Sequence, residues 1–381
     1  MRSRTRYRNS FDLLRILAAI GVLYSHSFVL SGNQAMEPIA RYTRYGSIGQ
    51  VAVDVFFALS GYLMATSYRN SDGPAHFLAK RALRIFPALL VTVCVTVFVL
   101  GPILSPLPVT TYFHHPQVLE YLKNAYLDVR YSLPLIFVNN PFPNAVNGSL
   151  WSLPLEAFMY LVVASLGMLR MLDARGALGM ALLFAALHFF VPSPLFSASG
   201  TVLWVMPYDH LTRLGAIFFF STFLGCLNGQ PLNSSRWGMP LAVLFLAIFA
   251  NSALSGVAII FALPYVVLVL ASYETRASNA ISRIGDLSYG TYLFAFPIQQ
   301  TVAMMLGNRV STYPMFAIAL PVTLILAYIS WRKVESPALE LKRIISIRRI
   351  DSPTTDHTVS PDHADVGDGR NAAENCGSEA K

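Results

Sequence analysis

Ten long apolar runs separated by short polar connections constrain this chain more than any other feature of its sequence. They fall at 11–30, 47–67, 84–104, 149–169, 176–191, 213–228, 237–254, 256–273, 284–306 and 313–331. A helix of roughly 20 apolar residues matches the hydrocarbon thickness of a bilayer. Inside lipid, only helices and closed barrels satisfy their own backbone polar groups. Of the 381 residues, 54% are hydrophobic and only 13% are charged, against about 25% charged in an ordinary soluble domain. The expectation is an all-α membrane protein, a polytopic bundle of about ten transmembrane helices, occupying residues 1–345. The fifth and sixth runs are short, and the break around Ser252, Ser255 and Gly256 predicts a tight hairpin between the seventh and eighth. Residues 346–381 are polar and poor in apolar side chains, and predict a disordered tail.

The net charge of +8 could suggest nucleic acid, but its placement argues otherwise. Arg2, Arg4, Arg6 and Arg8 precede the first run, and Arg332, Lys333, Lys342, Arg343, Arg348 and Arg349 follow the last. With a cytoplasmic N-terminus, the inside segments hold 19 Lys and Arg against 6 outside. That bias favours both termini in the cytoplasm of a cell membrane, with the bilayer rather than nucleic acid as partner. Asp12 and Arg15 interrupt the first run and no small-residue cleavage site follows, so the run reads as a retained span. Cys94, Cys226 and Cys376 have no metal-like spacing, and His114-His115 lacks partner ligands; no metal site is expected.

Arg15 and His26 share the first span. Eleven positions at about 100° each return them to one helix face, about 16 Å apart along the axis. Ionisable groups inside a membrane are costly and normally face a polar cavity. The competing reading is that Arg15 snorkels to the headgroups while His26 sits at the opposite interface. Glu156 and Asp54 pose the same problem inside the fourth and second runs. The loop 105–148, rich in proline, asparagine and aromatics, is long enough to contribute a lid or an acceptor site.

The Arg15–His26 spacing resembles the first-span pattern of acyltransferase family 3, the integral membrane acyltransferases that include exopolysaccharide and O-antigen acetyltransferases. Further segments resemble the family in order: Val53 to Leu63 in the second span, Arg81-Ala82-Leu83-Arg84-Ile85-Phe86-Pro87 entering the third, and Asn147-Gly148-Ser149-Leu150-Trp151-Ser152-Leu153-Pro154-Leu155-Glu156 at the fourth. Ser288 to Leu293 and Val334-Glu335-Ser336-Pro337 look like its late motifs, so the resemblance covers about residues 11–340. One position departs: where many members carry a histidine two residues before a proline, this chain has Ala295 before Phe296 and Pro297. His26 is then the one family-matched histidine.

The resemblance implies an O-acyltransferase that carries an acetyl group from acetyl-CoA to a saccharide hydroxyl, on a surface polysaccharide, a lipid-linked sugar or another glycoside. It implies no permanently bound cofactor. A hydroxyl needs a base to attack a thioester, and histidine is suited to that task near neutral pH. His26 is the candidate base, or a transient acyl acceptor, with Glu156 beside it. Arg15, Arg81 and Arg84 are candidates for the donor's phosphates, which arginine's forked donors fit; plain membrane anchoring is the alternative for the last two. Asp54, Asn147, Ser149 and Trp151 are candidates for the acceptor, with an interfacial-belt role open for Trp151. A secondary transporter of a sugar or organic anion would also be polytopic with buried charges, but it often shows internal repeats, and none is visible here.

Overall fold

The computed structural model describes residues 10–191, 201–202, 206–227, 237–307 and 309–347. Two compact units, Met1–Lys342 and Arg343–Lys381, divide the chain; the predicted tail beyond Ile347 lies outside the described residues. Helices dominate the first unit. The main ones are α1 (Phe11–Leu30), α2 (Ile48–Arg69), α3 (Pro74–Leu104), α4 (Gly148–Met168), α5 (Ala174–Phe190), α6 (Tyr208–Cys226), α7 (Gly238–Phe249), α8 (Ser255–Ser272), α9 (Ser288–Met305) and α10 (Thr312–Leu341).

Six of these, α1, α2, α3, α4, α8 and α10, are long and apolar enough to cross a bilayer. Helices α5 and α7 are apolar but span only 17 and 12 residues. Helices α6 and α9 have spanning length, at 19 and 18 residues, but carry more polar groups. The chain is a multi-pass helical membrane protein. Large apolar side chains including Ile103, Leu161, Phe190, Ile248 and Ile325 point outward, which suits contact with lipid and not with water.

Local sequence explains many of the boundaries. Ser47 Oγ accepts from Gln50 N while Gln50 Oε1 accepts from Ser47 N, a reciprocal cap that starts α2. Gly73, at φ +133°, turns the chain into Pro74, whose fixed φ suits the first helical position of α3. The helix therefore begins well before Arg81 and Arg84, placing both on a common face. The predicted hairpin is present: α7 ends at Phe249 and α8 begins at Ser255. Pro87, Pro264, Pro297 and Pro321 lie inside helices, as neighbouring helices in a membrane bundle allow.

Helix contacts are made by small residues and by polar groups. Helices α2 and α6 approach so closely that a Cβ on Gly61 would stand 2.1 Å from the Phe218 carbonyl oxygen, and one on Gly225 2.4 Å from the Tyr62 carbonyl. Thr222 Oγ1 donates to the Gly61 carbonyl across the same seam at 2.9 Å. Close backbone approach of this kind maximises dispersion contacts where no hydrophobic driving force separates helix from lipid. Gly61→Ala is expected to destabilise the fold by about 1–3 kcal/mol through overpacking. Thermal unfolding of the detergent-solubilised protein would read this, and an unchanged midpoint would refute the seam's tightness.

The 105–148 connection is folded. It holds short helices Val109–His114 and Pro116–Leu122, and buries Tyr112 and Tyr121. Gln300 of α9 staples it down, donating to the carbonyls of Phe142 and Ala145 at 2.7 and 2.8 Å, while Asn140 Nδ2 donates back to Gln300 Oε1 at 2.7 Å. On another face of α9, Gln299 Nε2 donates to Leu23 O at 2.8 Å and to Ser27 Oγ at 2.7 Å. These bonds fix α9 against α1.

Candidate active site

A cavity of about 390 Å³ opens between α1, α2, α3, α4, α9 and α10. Arg15, Arg81, Arg84 and Glu156 all line it. Four residues separated by up to 141 positions in sequence thus meet around one space. For Arg15 this disposes of simple snorkelling, because its guanidinium is turned inward and lies 3.6 Å from Asp286.

Arg84 is the most heavily paired of the three cations. Its Nη2 lies 2.5 Å from Asp286 Oδ2 and its Nη1 3.9 Å from Glu335 Oε2. Glu335 is buried where α10 makes a π-helical turn, and it also accepts from Ser330 Oγ at 3.0 Å. Asp286 sits in the connection just before α9. It accepts from the Ser288 amide at 3.1 Å and from Ser288 Oγ, which secures the start of that helix. Burial acts to raise the Asp286 pKa, but the Arg84 and Arg15 guanidiniums outweigh it and hold the carboxyl at about 2.

Arg81 is different. Its guanidinium lies over the rings of Tyr160 and Phe77, 5.8 and 5.9 Å from their centroids. Among the described residues no carboxylate pairs with it, and its Nε is buried without a hydrogen-bond partner. Glu156, one turn before Tyr160 on α4, accepts a short hydrogen bond from the Tyr160 hydroxyl. Ser60 Oγ completes the chain at 3.2 Å from the same hydroxyl. A carboxylate so held keeps one oxygen free of Tyr160 and stands within the cavity wall.

His26 does not line this cavity. Its ring packs edge-on against Phe296, centroids 5.1 Å apart. Phe296 is itself pressed on Gly148, where a Cβ would come within 2.6 Å of the ring. Tyr292, one turn earlier on α9, does line the cavity, and its hydroxyl donates to the Ser149 carbonyl at 2.7 Å. Running outward from the cavity, the order is Tyr292 and Phe296 of α9, then His26 of α1. The His26 Nδ1 atom is buried with no protein partner among the described residues, and so is Ser149 Oγ. Buried polar atoms without partners are rare and call for an explanation, a ligand being one. Because that nitrogen is enclosed by protein, its surroundings are not lipid tails.

The remaining candidates are distributed around the end of α4. Asn147 is fully buried, and its side chain serves the backbone: Oδ1 accepts from the Ser149 amide at 3.1 Å and Nδ2 donates to Leu293 O at 2.9 Å. Trp151 faces the ring of His210, with centroids 4.5 Å apart. Asp54, fully buried, lies 3.2 Å from Arg213 Nη2 of α6 and is not part of the cavity wall. The structure therefore gathers the arginines with Glu156, and sets Asp54 on the α6 side.

Asp286, Tyr160, Ser60, Tyr292, Arg213 and His210 were not picked out as site residues from sequence. Tyr160 had a local signal, since it follows Glu156 by one helical turn. Arg213 had a weaker one, as a cation beside a run that could neutralise Asp54. Asp286 had none, because its partners lie 271 and 202 positions away. Among the described residues no group of three or more His, Cys, Asp or Glu is placed to hold a metal ion.

Comparison with known proteins adds an independent line. The acyltransferase domain family matches residues 8–332. An O-acetyl transferase of Shigella phage Sf6 is 30% identical over 332 residues, covering 86% of this chain and 95% of that protein. Nodulation protein 10 of Rhizobium leguminosarum bv. viciae is 28% identical over 371 residues, covering 90% of this chain and 96% of its own length. No solved structure matches the chain.

Proposed function

The chain belongs to the acyltransferase family, and from that premise we propose that it is a membrane O-acetyltransferase using acetyl-CoA as donor and a saccharide hydroxyl as acceptor. The observation that carries the reading is the clustering of Arg15, Arg81 and Arg84 with Glu156 around one cavity inside the helical bundle. Three guanidinium groups facing a common space suit a ligand with several phosphates, which arginine binds through paired N–H donors. The name of the phage relative supports acetyl and oxygen as the group and the acceptor atom.

In this reading the donor enters from the cytoplasm, its phosphates lie at the arginines, and its arm reaches along α1 toward His26 when the Tyr292 and Phe296 rings standing between them move aside. The helical rise puts Arg15 and His26 about 16 Å apart, a span that an extended arm covers and a compact anion does not. His26 takes the proton of the acceptor hydroxyl as its oxygen attacks the thioester carbonyl. The C–S bond then breaks, and the proton passes to the departing thiolate, leaving acetylated sugar and free coenzyme A. Glu156 with Tyr160 supports the polar path between the two ends. Ser149 and Trp151 contribute to the acceptor side, with Asn147 holding the turn that presents them and Asp54 anchoring α6 through Arg213. The excess of Lys and Arg in alternate connections supports ten crossings of a bacterial inner membrane with both termini cytoplasmic.

The test is mass spectrometry of cell-surface glycans from cells with and without the protein, joined to transfer of labelled acetyl from acetyl-CoA in proteoliposomes. An acetyl mass difference and label on the glycan are expected. Substrate transport without consumption of the donor would replace this reading with a carrier.

A further inference from the structure

The charges lining the cavity cancel. Arg15, Arg81 and Arg84 are matched by Asp12, Glu156 and Asp286, and Glu335 stands behind Arg84 as a further carboxylate. Where a cation already holds a carboxylate, a donor phosphate must compete with it. The competition is concentrated at one residue. Asp286 Oδ2 lies between Arg84 Nη2 at 2.5 Å and Arg15 Nη1 at 3.6 Å, so one oxygen faces two guanidiniums from two helices. Its other oxygen is occupied separately by Ser288. Glu156 is bound to Tyr160, and Asp12 has Ser282 Oγ at 3.3 Å; neither makes an ion pair with a cavity arginine within 4 Å among the described residues.

We propose that Asp286 is an internal counter-anion of the donor site: its carboxylate holds the place between Arg15 and Arg84 that a donor phosphate takes, and sets donor affinity by competing for the same guanidinium groups. This rests on the donor reading of the cavity. It adds a consequence which that reading alone does not contain, that removing a native carboxylate strengthens binding. Asp286 also screens the partly exposed guanidiniums of α1 and α3 from one another, while each remains anchored by its own helix. A phosphate arriving there inherits an assembled pair of donors, at the cost of displacing the carboxylate toward Ser288, where its second oxygen is already anchored. Held ionised by its partners, the carboxyl remains a competitor throughout the neutral range.

The experiment measures binding of coenzyme A and of uncharged pantetheine to the full-length protein in nanodiscs by titration calorimetry. Asp286→Asn removes the charge and keeps an oxygen for the Ser288 amide; Asp286→Ser is a second neutral variant that also retains a capping oxygen. Both are expected to bind coenzyme A about tenfold more tightly than the wild type, the low end of what a neighbouring opposite charge is worth, with pantetheine affinity unchanged. Unchanged or weaker coenzyme A binding in both variants overturns the proposal. An equal gain for pantetheine also overturns it, since a change in packing and not in phosphate competition would then be at work. Arg81→Ala, measured alongside, separates the two levels. If it leaves coenzyme A affinity intact, the donor reading of the cavity itself fails. If it weakens coenzyme A binding while the Asp286 variants show no gain, only the counter-anion idea falls.

Discussion

His26→Ala is expected to cut the rate of acyl transfer by about 10²–10⁴-fold, the usual contribution of a positioned general base, while leaving coenzyme A binding near its wild-type value. The division follows from where the residues sit. The arginines line the cavity, whereas His26 lies beyond Phe296 with Nδ1 buried and without a protein partner. In the proposed reaction, loss of the imidazole removes the acceptor of the hydroxyl proton and leaves the proposed phosphate contacts untouched. Single-turnover transfer from labelled acetyl-CoA, with donor affinity measured on the same preparation, separates the two effects. Retention of full activity would remove His26 from the reaction. A parallel loss of donor binding would instead show that the imidazole supports the fold of the cavity.

The second large effect distinguishes two arginines one turn apart. Arg81→Ala is expected to raise the donor KM about 10–100-fold, as loss of a hydrogen-bonded charge does, with little change in stability. No carboxylate depends on Arg81 among the described residues, and its contacts are to the faces of Tyr160 and Phe77. Arg84→Ala should behave otherwise. It strips a cation from Asp286 and from Glu335, both largely buried. Leaving buried charges without their partner costs about 3–5 kcal/mol. That variant is expected to lose folded protein before its kinetics can be read, and Arg84→Lys to recover stability better than donor affinity, since lysine lacks the planar fork. Melting temperature and donor KM measured together decide the matter. Equal behaviour of the two alanine variants would refute the distinction.

Part of the candidate site's geometry was legible in the sequence. The Arg15–His26 spacing places both side chains on one stripe of α1 by helix geometry alone, and the pair at 81 and 84 shares a face once α3 starts at Pro74. Glu156, costly inside an apolar run, lines the cavity where such a group belongs. The stripe did not, however, imply one chamber. Tyr292 and Phe296 stand between its two ends, because α9 is fastened to α1 by Gln299 and to the 105–148 loop by Gln300. Ala295 is wholly buried in an apolar cluster with Leu23 and Ala319, so this position serves packing.

Asn147 and Asp54 show where pattern and role part. Each is a polar residue in an apolar context, which marks it for attention. One is committed to backbone hydrogen bonds that shape the turn before α4, the other to Arg213 across the seam with α6. Nothing local separates such residues from Glu156: each is a polar group among apolar neighbours in the chain, and only what lies opposite, wall or cavity, tells them apart.

The bilayer makes segment identity readable from the chain: apolar length, helix periodicity and flanking charge act within some 20 residues, so helical class, helix positions and the candidate stripe followed from the amino acids in order. Which cation meets which anion depends on distances between segments far apart in the chain, and only packing sets those. The Arg15–Asp286–Arg84 cluster, the free Arg81 and the aromatic wall before His26 arise from helices closing on one another, and had to be seen assembled.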